Sequence, residues 1–334
     1  MPRSARRSGK VCDLSIRRPL EPDDYPFFDY RRFSFSLGIA AAGRIWLSGS
    51  TAVRFEPPAG MVVRGDLVAQ ASVIHDKMAA TLVAAKRGLR DIVRVVRYIT
   101  PKAFADVPAL DAFQRRSLAE GVSISTVPVR SLLRQEALIE IEAIAQDGGA
   151  DGLDYLGAIV APDRMAAWDA ATKQLAARGL DRSHIKRVTE LATAAAFETA
   201  APAGAAPGLR ICAPRLAGAD SGVQLEITFS RGASPVVCVS AEADPAQEGV
   251  VAQCRDLYAR LGAKLTAAGA SFASVVKTTE YIVPAALKDY RGTADVRREV
   301  FAVPYPAATG VICERLGHPG AMIAVEVTAL TGAA

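Results

Sequence analysis

Residues 75–99 read HDKMAATLVAAKRGLRDIVRVVRYI: an amphipathic helical pattern, a break at Gly88, then a β-branched run. Apolar side chains recur at helical spacing before the glycine, and the valines and isoleucines after it favour a strand. The same plan returns twice, as MAAWDAATKQLAARGLDRSHIKRVTELA at 165–192 and QCRDLYARLGAKLTAAGASFASVVKTTEYIV at 253–283, with breaks at Gly179 and Gly269. Each of these glycines is expected to cap its helix in the left-handed conformation.

Working outward, the flanks repeat as well. A β-like run precedes each helix: GRIWLSGST (43–51), LDYLGAIVA (153–161) and PVVCVSAEA (235–243). A strand of alternating pattern closes each copy: ALIEIEAIA (137–145), GVQLEITF (222–229) and AMIAVEVTAL (321–330). A second helix fits at 108–119 and 285–301, whereas the middle copy has only TAAAFETAAPAGAAP there. AQDGGADG (145–152) reads as a joint between copies, and AAPAGAAPG (200–208) as a segment just before a hairpin of the middle copy. The expectation is an α+β chain of three tandem units, 25–146, 152–230 (reduced) and 231–332, behind a basic flexible tail at 1–24.

Charge and composition narrow the function classes. The 334 residues carry a formal net charge of +5. Residues 1–18 hold Arg3, Arg6, Arg7, Lys10, Arg17 and Arg18 against Asp13, which accounts for all of that excess. The remainder is neutral, so a nucleic-acid partner is not expected. No apolar run approaches the roughly 18 residues of a membrane span, and no secretory apolar core follows the basic start, so a cytoplasmic protein is expected. Five cysteines (Cys12, Cys212, Cys238, Cys254, Cys313) without paired spacing read as reduced thiols, and three scattered histidines offer no metal-ligand spacing.

Chemistry concentrates in PVRSLLRQEALIEIEAIA, residues 128–145, read as two strands joined by a tight turn. Arg130 stands at one end, and Glu140 and Glu142 share a face at the other. A guanidinium fork pairs bidentately with a carboxylate, and a carboxyl group of tuned pKa can orient water and move a proton. On pattern alone, Arg130 equally fits a surface ion pair, and the glutamates a solvated sheet face.

The order LSGS, GDLVAQASVIHDKMAATLVAAKRGLRDIVRVVRYI, PVRS and IEIEAIA resembles the Rid family, the reactive intermediate deaminases also called YjgF or RidA. The resemblance is fullest over 30–146, less full over 231–332 and least over 152–230. It implies a fold similar to chorismate mutase, with a ligand cleft between neighbouring units of a trimer. Three units in one chain then imply a single-chain pseudotrimer, monomeric or homodimeric.

Residue by residue, the resemblance implies that Arg130 binds a substrate carboxylate and that Glu140 positions the attacking water. Phe35 falls where the family commonly has tyrosine, and Ser48 and Gly49 match its serine and glycine. Glu142 is assigned to a solvated face. In the third unit Ala308 and Ala324 stand where the arginine and first glutamate are expected; in the second, Arg210 precedes Cys212 by two residues and Gln224 takes the glutamate position. The implied activity is hydrolytic deamination of a small carboxylate-bearing enamine or imine, with neither metal nor organic cofactor. A more distant resemblance to chorismatases implies action on a cyclic dicarboxylate, with a catalytic glutamate in the last strand, here IAVEV. A non-catalytic binder of small carboxylates is the third reading.

Overall fold

The computed structural model describes residues 17–148, 152–198 and 208–332. The first part holds β1 (Arg18–Pro19), β2 (Gly38–Ala41), β3 (Arg44–Leu47), the hairpin β4 (Arg54–Glu56) and β5 (Gly60–Val62), and α1 (Leu67–Val83). It continues with β6 (Ile92–Ile99), α2 (Val107–Ser117), β7 (Ser123–Pro128), β8 (Ser131–Leu132) and β9 (Ile139–Gln146). The middle part runs β10 (Leu153–Ala161), α3 (Arg164–Ala176), β11 (Ile185–Ala192), α4 (Ala194–Phe197), β12 (Leu209–Cys212) and β13 (Val223–Ser230). Last come β14 (Val236–Glu242), α5 (Gly249–Ala267), β15 (Val275–Ile282), α6 (Thr293–Val300), β16 (Ala307–Ile312), β17 (Arg315–Leu316) and β18 (Ile323–Leu330).

Three sheets follow one pairing order, β3-β9-β6-β7, β10-β13-β11-β12 and β14-β18-β15-β16. In each, the closing strand lies antiparallel between the first strand and the strand after the helix, and that strand pairs in parallel with the next. One long helix covers each sheet. On α1, Leu67, Ala71, Ile74, Met78 and Leu82 recur every three or four residues and bury against Val95, Ile99, Ile139 and Ile141. Asp66 caps its start, accepting from the Ala69 N–H at 2.8 Å. Leu257, Leu261 and Leu265 of α5, and Ala167, Ala171 and Leu175 of α3, do the same for the other two sheets.

Several expectations need correcting. The supposed tail is structured from Arg17: β1 pairs with β2, Leu20 is buried, and its N–H donates to Gly38 O at 2.8 Å. Residues 128–145 are not a hairpin. β8 leaves its own sheet and pairs with β16, Ser131 opposite Ile312, because β7 already has β6 as its parallel partner. In the same sense β17 joins the middle sheet through β12. The helix expected at 285–301 is shortened to α6 by two 3-10 turns at Pro284–Ala286 and Tyr290–Gly292. Cys12 and most of 200–208 lie outside the described residues, and the four described cysteines are unpaired.

The helix ends are instructive. Gly179 (φ 73°) and Gly269 (φ 72°) are left-handed, but Gly88 is extended (φ −142°) and Lys86 (φ 56°) takes the left-handed place. The governing spacing is four residues after the last core leucine. Leu82, Leu175 and Leu265 each accept an N–H from five residues on, so the turn falls at 86, 179 and 269.

Each sheet meets both others through one recurring buried contact. The fourth residue of each closing strand is a glutamate, Glu142, Glu226 or Glu326, and each faces a cation at the third position of a neighbouring sheet's central strand. Glu142 binds Lys277 at 2.9 Å, Glu226 binds Arg94 at 2.8 Å and Glu326 faces Arg187 at 3.8 Å. A hydroxyl donates to each carboxylate: Thr309 to Glu142, Ser125 to Glu226 and Thr189 to Glu326. First meets third, third meets second, second meets first, and the contacts close a ring. Glu142 is therefore buried at a seam, not on a solvated face. Burial raises its carboxyl, and the Lys277 ammonium and Thr309 hydroxyl more than offset this, holding it below the ordinary value.

Two predictions follow from this geometry. Gly269→Ala should cost about 1 kcal/mol, because alanine resists the left-handed region, while Gly88→Ala should be neutral, since its added Cβ would meet nothing within 4 Å; urea midpoints compare them. Lys277→Met should cost about 3–5 kcal/mol by stranding Glu142, and Lys277→Met with Glu142→Leu should recover most of that.

Candidate functional site

A cavity of about 210 Å³ is lined by residues between Tyr25 and Glu140, all of the first part of the chain, and Glu140 lies in its wall. The local backbone explains why the carboxyl reaches it. Between the pairs Trp46–Ile144 and Ser50–Ile141, the strand of residues 46–50 takes four steps while β9 takes three, so one extra residue bulges out at Ser48–Gly49. The middle sheet has the same excess, between Leu156–Ile227 and Ile159–Leu225. The third does not: Cys238–Thr328 and Ala241–Val325 are three steps apart on both sides.

The bulge is stitched to the third sheet. Ser48 Oγ donates to Ser36 O (2.6 Å) and accepts from the Ala308 N–H (2.8 Å), and the Gly49 N–H lies 2.9 Å from Ala308 O and 3.0 Å from Thr309 Oγ1. Position 49 has no room for a side chain. A Cβ there would sit 2.2 Å from Glu140 Oε1 and 2.7 Å from Thr309 Oγ1, so glycine is required by close approach.

Glu140 is buried, and its carboxyl accepts from the Gly310 N–H of the third sheet. Burial pushes its pKa up to about 8; the Lys277 charge opposes this and the Glu142 charge reinforces it. Near pH 7 most of the group is protonated, a state that can give a proton to a ligand and take one back from water.

Facing Glu140 is Lys77, which comes from the buried stripe of α1 marked by Gln70, Ile74 and Thr81. Its Nζ donates to Thr51 O (2.8 Å) and to Val53 O, and stands 5.0 Å from the Phe28 ring centre and 5.7 Å from that of Phe27. Burial, with Arg54 nearby, lowers its pKa to about 7, against the attraction of Glu140.

The remaining wall is aromatic. Tyr25, Phe27, Phe28, Tyr30, Phe33 and Phe35 fall within residues 25–35, and Tyr25, Phe28, Phe33 and Phe35 line the cavity. Their rings support one another, Phe33 stacking on Phe35 at 5.6 Å and Tyr25 meeting Phe28 edge-on at 5.6 Å. Arg134, exposed in the turn before β9, also lines the cavity.

The structure thus brings together Phe35, Ser48 and Glu140, and places two other expected residues elsewhere. Arg130 does not line the cavity; half exposed, it pairs with Glu314 of the third sheet, and its N–H donates to Ile312 O at 2.8 Å. Arg210 lies in the middle sheet, 3.0 Å from Glu190 and 4.6 Å over the Phe197 ring. The parallel registers Ile99–Pro128 and Ile282–Ile312 make Glu314 the counterpart of Arg130, where Ala308 had been aligned. Gln224 and Ala324 do occupy the Glu140 position, opposite Leu191 and Tyr281 as Glu140 is opposite Tyr98. Lys77 and Arg134 went unnoticed; for Lys77 the available signal was a lysine on the buried stripe of a helix.

Residues 234–331 match the family Ribonuc_L-PSP, described as Endoribonuclease L-PSP. The match falls on the last part of the chain, where the resemblance read from sequence was less full than over 30–146. A RutC family protein of Pyrococcus horikoshii is 28% identical over 111 residues, 33% of this chain and 85% of that relative. Among solved structures, a putative endoribonuclease of Thermotoga maritima is 24% identical with a TM-score of 0.34, covering 40% of this chain and 98% of the other. A Rid-family protein of unknown function from Yersinia pestis is 23% identical with a TM-score of 0.33, covering 39% and 99% respectively. Among the described residues no helix is long and apolar enough to cross a membrane. Over residues 234–331 the chain is thus similar to the Ribonuc_L-PSP family, in keeping with the resemblance to Rid (YjgF/RidA) proteins read from the sequence.

Proposed function

We propose that the chain is three fused Rid units closed into a single-chain ring, and that its Glu140 cavity hydrolyses a small carboxylate-bearing imine or enamine. The observation that carries this reading is Glu140: a buried carboxyl, mostly protonated at neutral pH, facing an aromatic-walled cavity. An enamine first takes a proton at its terminal carbon and gives one up from nitrogen to become the imine; Glu140 then protonates the imine nitrogen, making the adjoining carbon electrophilic. Water adds there, the carboxylate takes its proton, the C–N bond breaks, and a carbonyl acid and ammonia leave. Arg134 in the cavity lining pairs with the ligand carboxylate, the role first expected of Arg130.

Size argues for a compact ligand. About 210 Å³ is below the roughly 300–1,000 Å³ of pockets for drug-sized molecules. A cyclic dicarboxylate is disfavoured on that ground, and because the closing strand of the last unit has Ala324 at the glutamate position. With all three seams made within one polypeptide, a monomer or homodimer is expected.

Freshly generated 2-aminoacrylate supplies the test. The chain should accelerate its conversion to pyruvate and ammonia, and Glu140→Gln should slow that by about 100-fold or more. Arg134→Ala should raise KM about tenfold, equivalent to about 1.4 kcal/mol, with Arg130→Ala near the parent. No acceleration across a panel of such imines rejects the reading.

A second prediction concerns pH. The folded-state pKa of Glu140 lies above its ordinary value of 4.5, so between pH 4.5 and about 8 the folded chain holds more protons than the unfolded one. This contribution makes stability fall as pH rises through that window. Glu140→Gln removes it, so the variant should gain on the parent from pH 5 to pH 8 and hold a constant difference above, as measured by urea unfolding.

A further inference from the structure

Lys77 has an unusual position for a lysine. It is 1% exposed, lies in the wall of the cavity that Glu140 faces, and forms no ion pair with any described carboxylate. Lysine is seldom buried so completely without a partner carboxylate. Its hydrogen bonds are two, to the carbonyls of Thr51 and Val53.

That number has a chemical consequence. A neutral amine has two N–H bonds and one lone pair. Two carbonyl acceptors use both N–H bonds, and the lone pair is then left for the remaining tetrahedral direction. Burial among Phe27, Phe28 and the backbone of residues 51–53 favours the neutral amine, as it does for lysines that form Schiff bases. Glu140 lies in the same wall and can supply and recover the protons that condensation requires.

We propose that Lys77 is a nucleophile that binds small carbonyl acids and their imines covalently in this cavity. With an imine, Glu140 protonates the nitrogen, Nζ adds to the carbon and passes one proton to that nitrogen, which leaves as ammonia, and the second Nζ proton returns to the Glu140 carboxylate as the carbon becomes a lysine imine. Water then adds to that carbon, the bond to Nζ breaks, and the carbonyl acid departs with the amine restored. With a carbonyl acid alone, Nζ adds to the C=O carbon and water leaves. The imine branch rests on the function proposed above; the carbonyl branch does not.

Borohydride reduction of the full chain with pyruvate tests the carbonyl branch, since it turns a lysine imine into a stable secondary amine. Peptide mapping should find a carboxyethyl group on Lys77 at least tenfold above that on exposed Lys86, Lys102, Lys173 or Lys288. Lys77→Met, of similar length and without the amine, should remove that adduct, with circular dichroism checking that the variant is folded, and Glu140→Gln should slow its formation. Label spread over exposed lysines with none at Lys77 overturns the proposal. Acceleration of 2-aminoacrylate hydrolysis without trapping at Lys77 refutes covalent binding and leaves direct attack by water. Trapping at Lys77 without accelerated hydrolysis supports the nucleophile and rejects the deaminase reading.

Discussion

A buried carboxylate bound by a cation and a hydroxyl from the next sheet is the contact on which the architecture depends. It occurs at all three seams, at the same strand positions, and it closes the ring. Such groups are expensive to desolvate, and removing one partner strands the other. The seam is thereby bound to one register, because a slip of one residue would turn every side chain of a strand to the opposite face. The apolar clusters under α1, α3 and α5 supply most of the burial, but they do not by themselves distinguish one sheet's edge from another's.

The same strand holds two carboxyls in opposite states. Glu140 and Glu142 lie two apart on one face and meet opposite conditions. Lys277 is 2.9 Å from Glu142 and holds it ionised, which leaves Glu140 beside a like charge in a buried place. One carboxyl is given to structure and the other is kept protonated for the cavity. In the other two closing strands the corresponding residues are Gln224 and Ala324, so among the described residues only β9 has a carboxyl at that position.

Much of this was readable in advance. The helix, break and strand plan, written three times, gave the recurring succession of helices and strands, since amphipathic spacing and β-branched runs state local structure directly. Glu140 was singled out by the family resemblance, since the alternating pattern alone fitted a solvated sheet face equally well. Other features depend on which sheet a strand edge meets, and local pattern carries no such information. β8 crosses to the third sheet, so Arg130 emerges against Glu314 and Arg134 comes to the cavity. The capping turn at Lys86 was hidden because the eye goes to glycine, whereas the spacing from Leu82 decides. Lys77 was obscured by its setting in a helix otherwise read as core.

The additional residue at Ser48–Gly49 bears on how such a chain can change over time. Point substitutions can restore a glutamate at position 324, but the first strand of that unit lacks the register offset that presents Gly49 to Glu140. Reproducing the Gly49–Glu140 arrangement there needs a one-codon insertion together with the side-chain change, two events of different kinds.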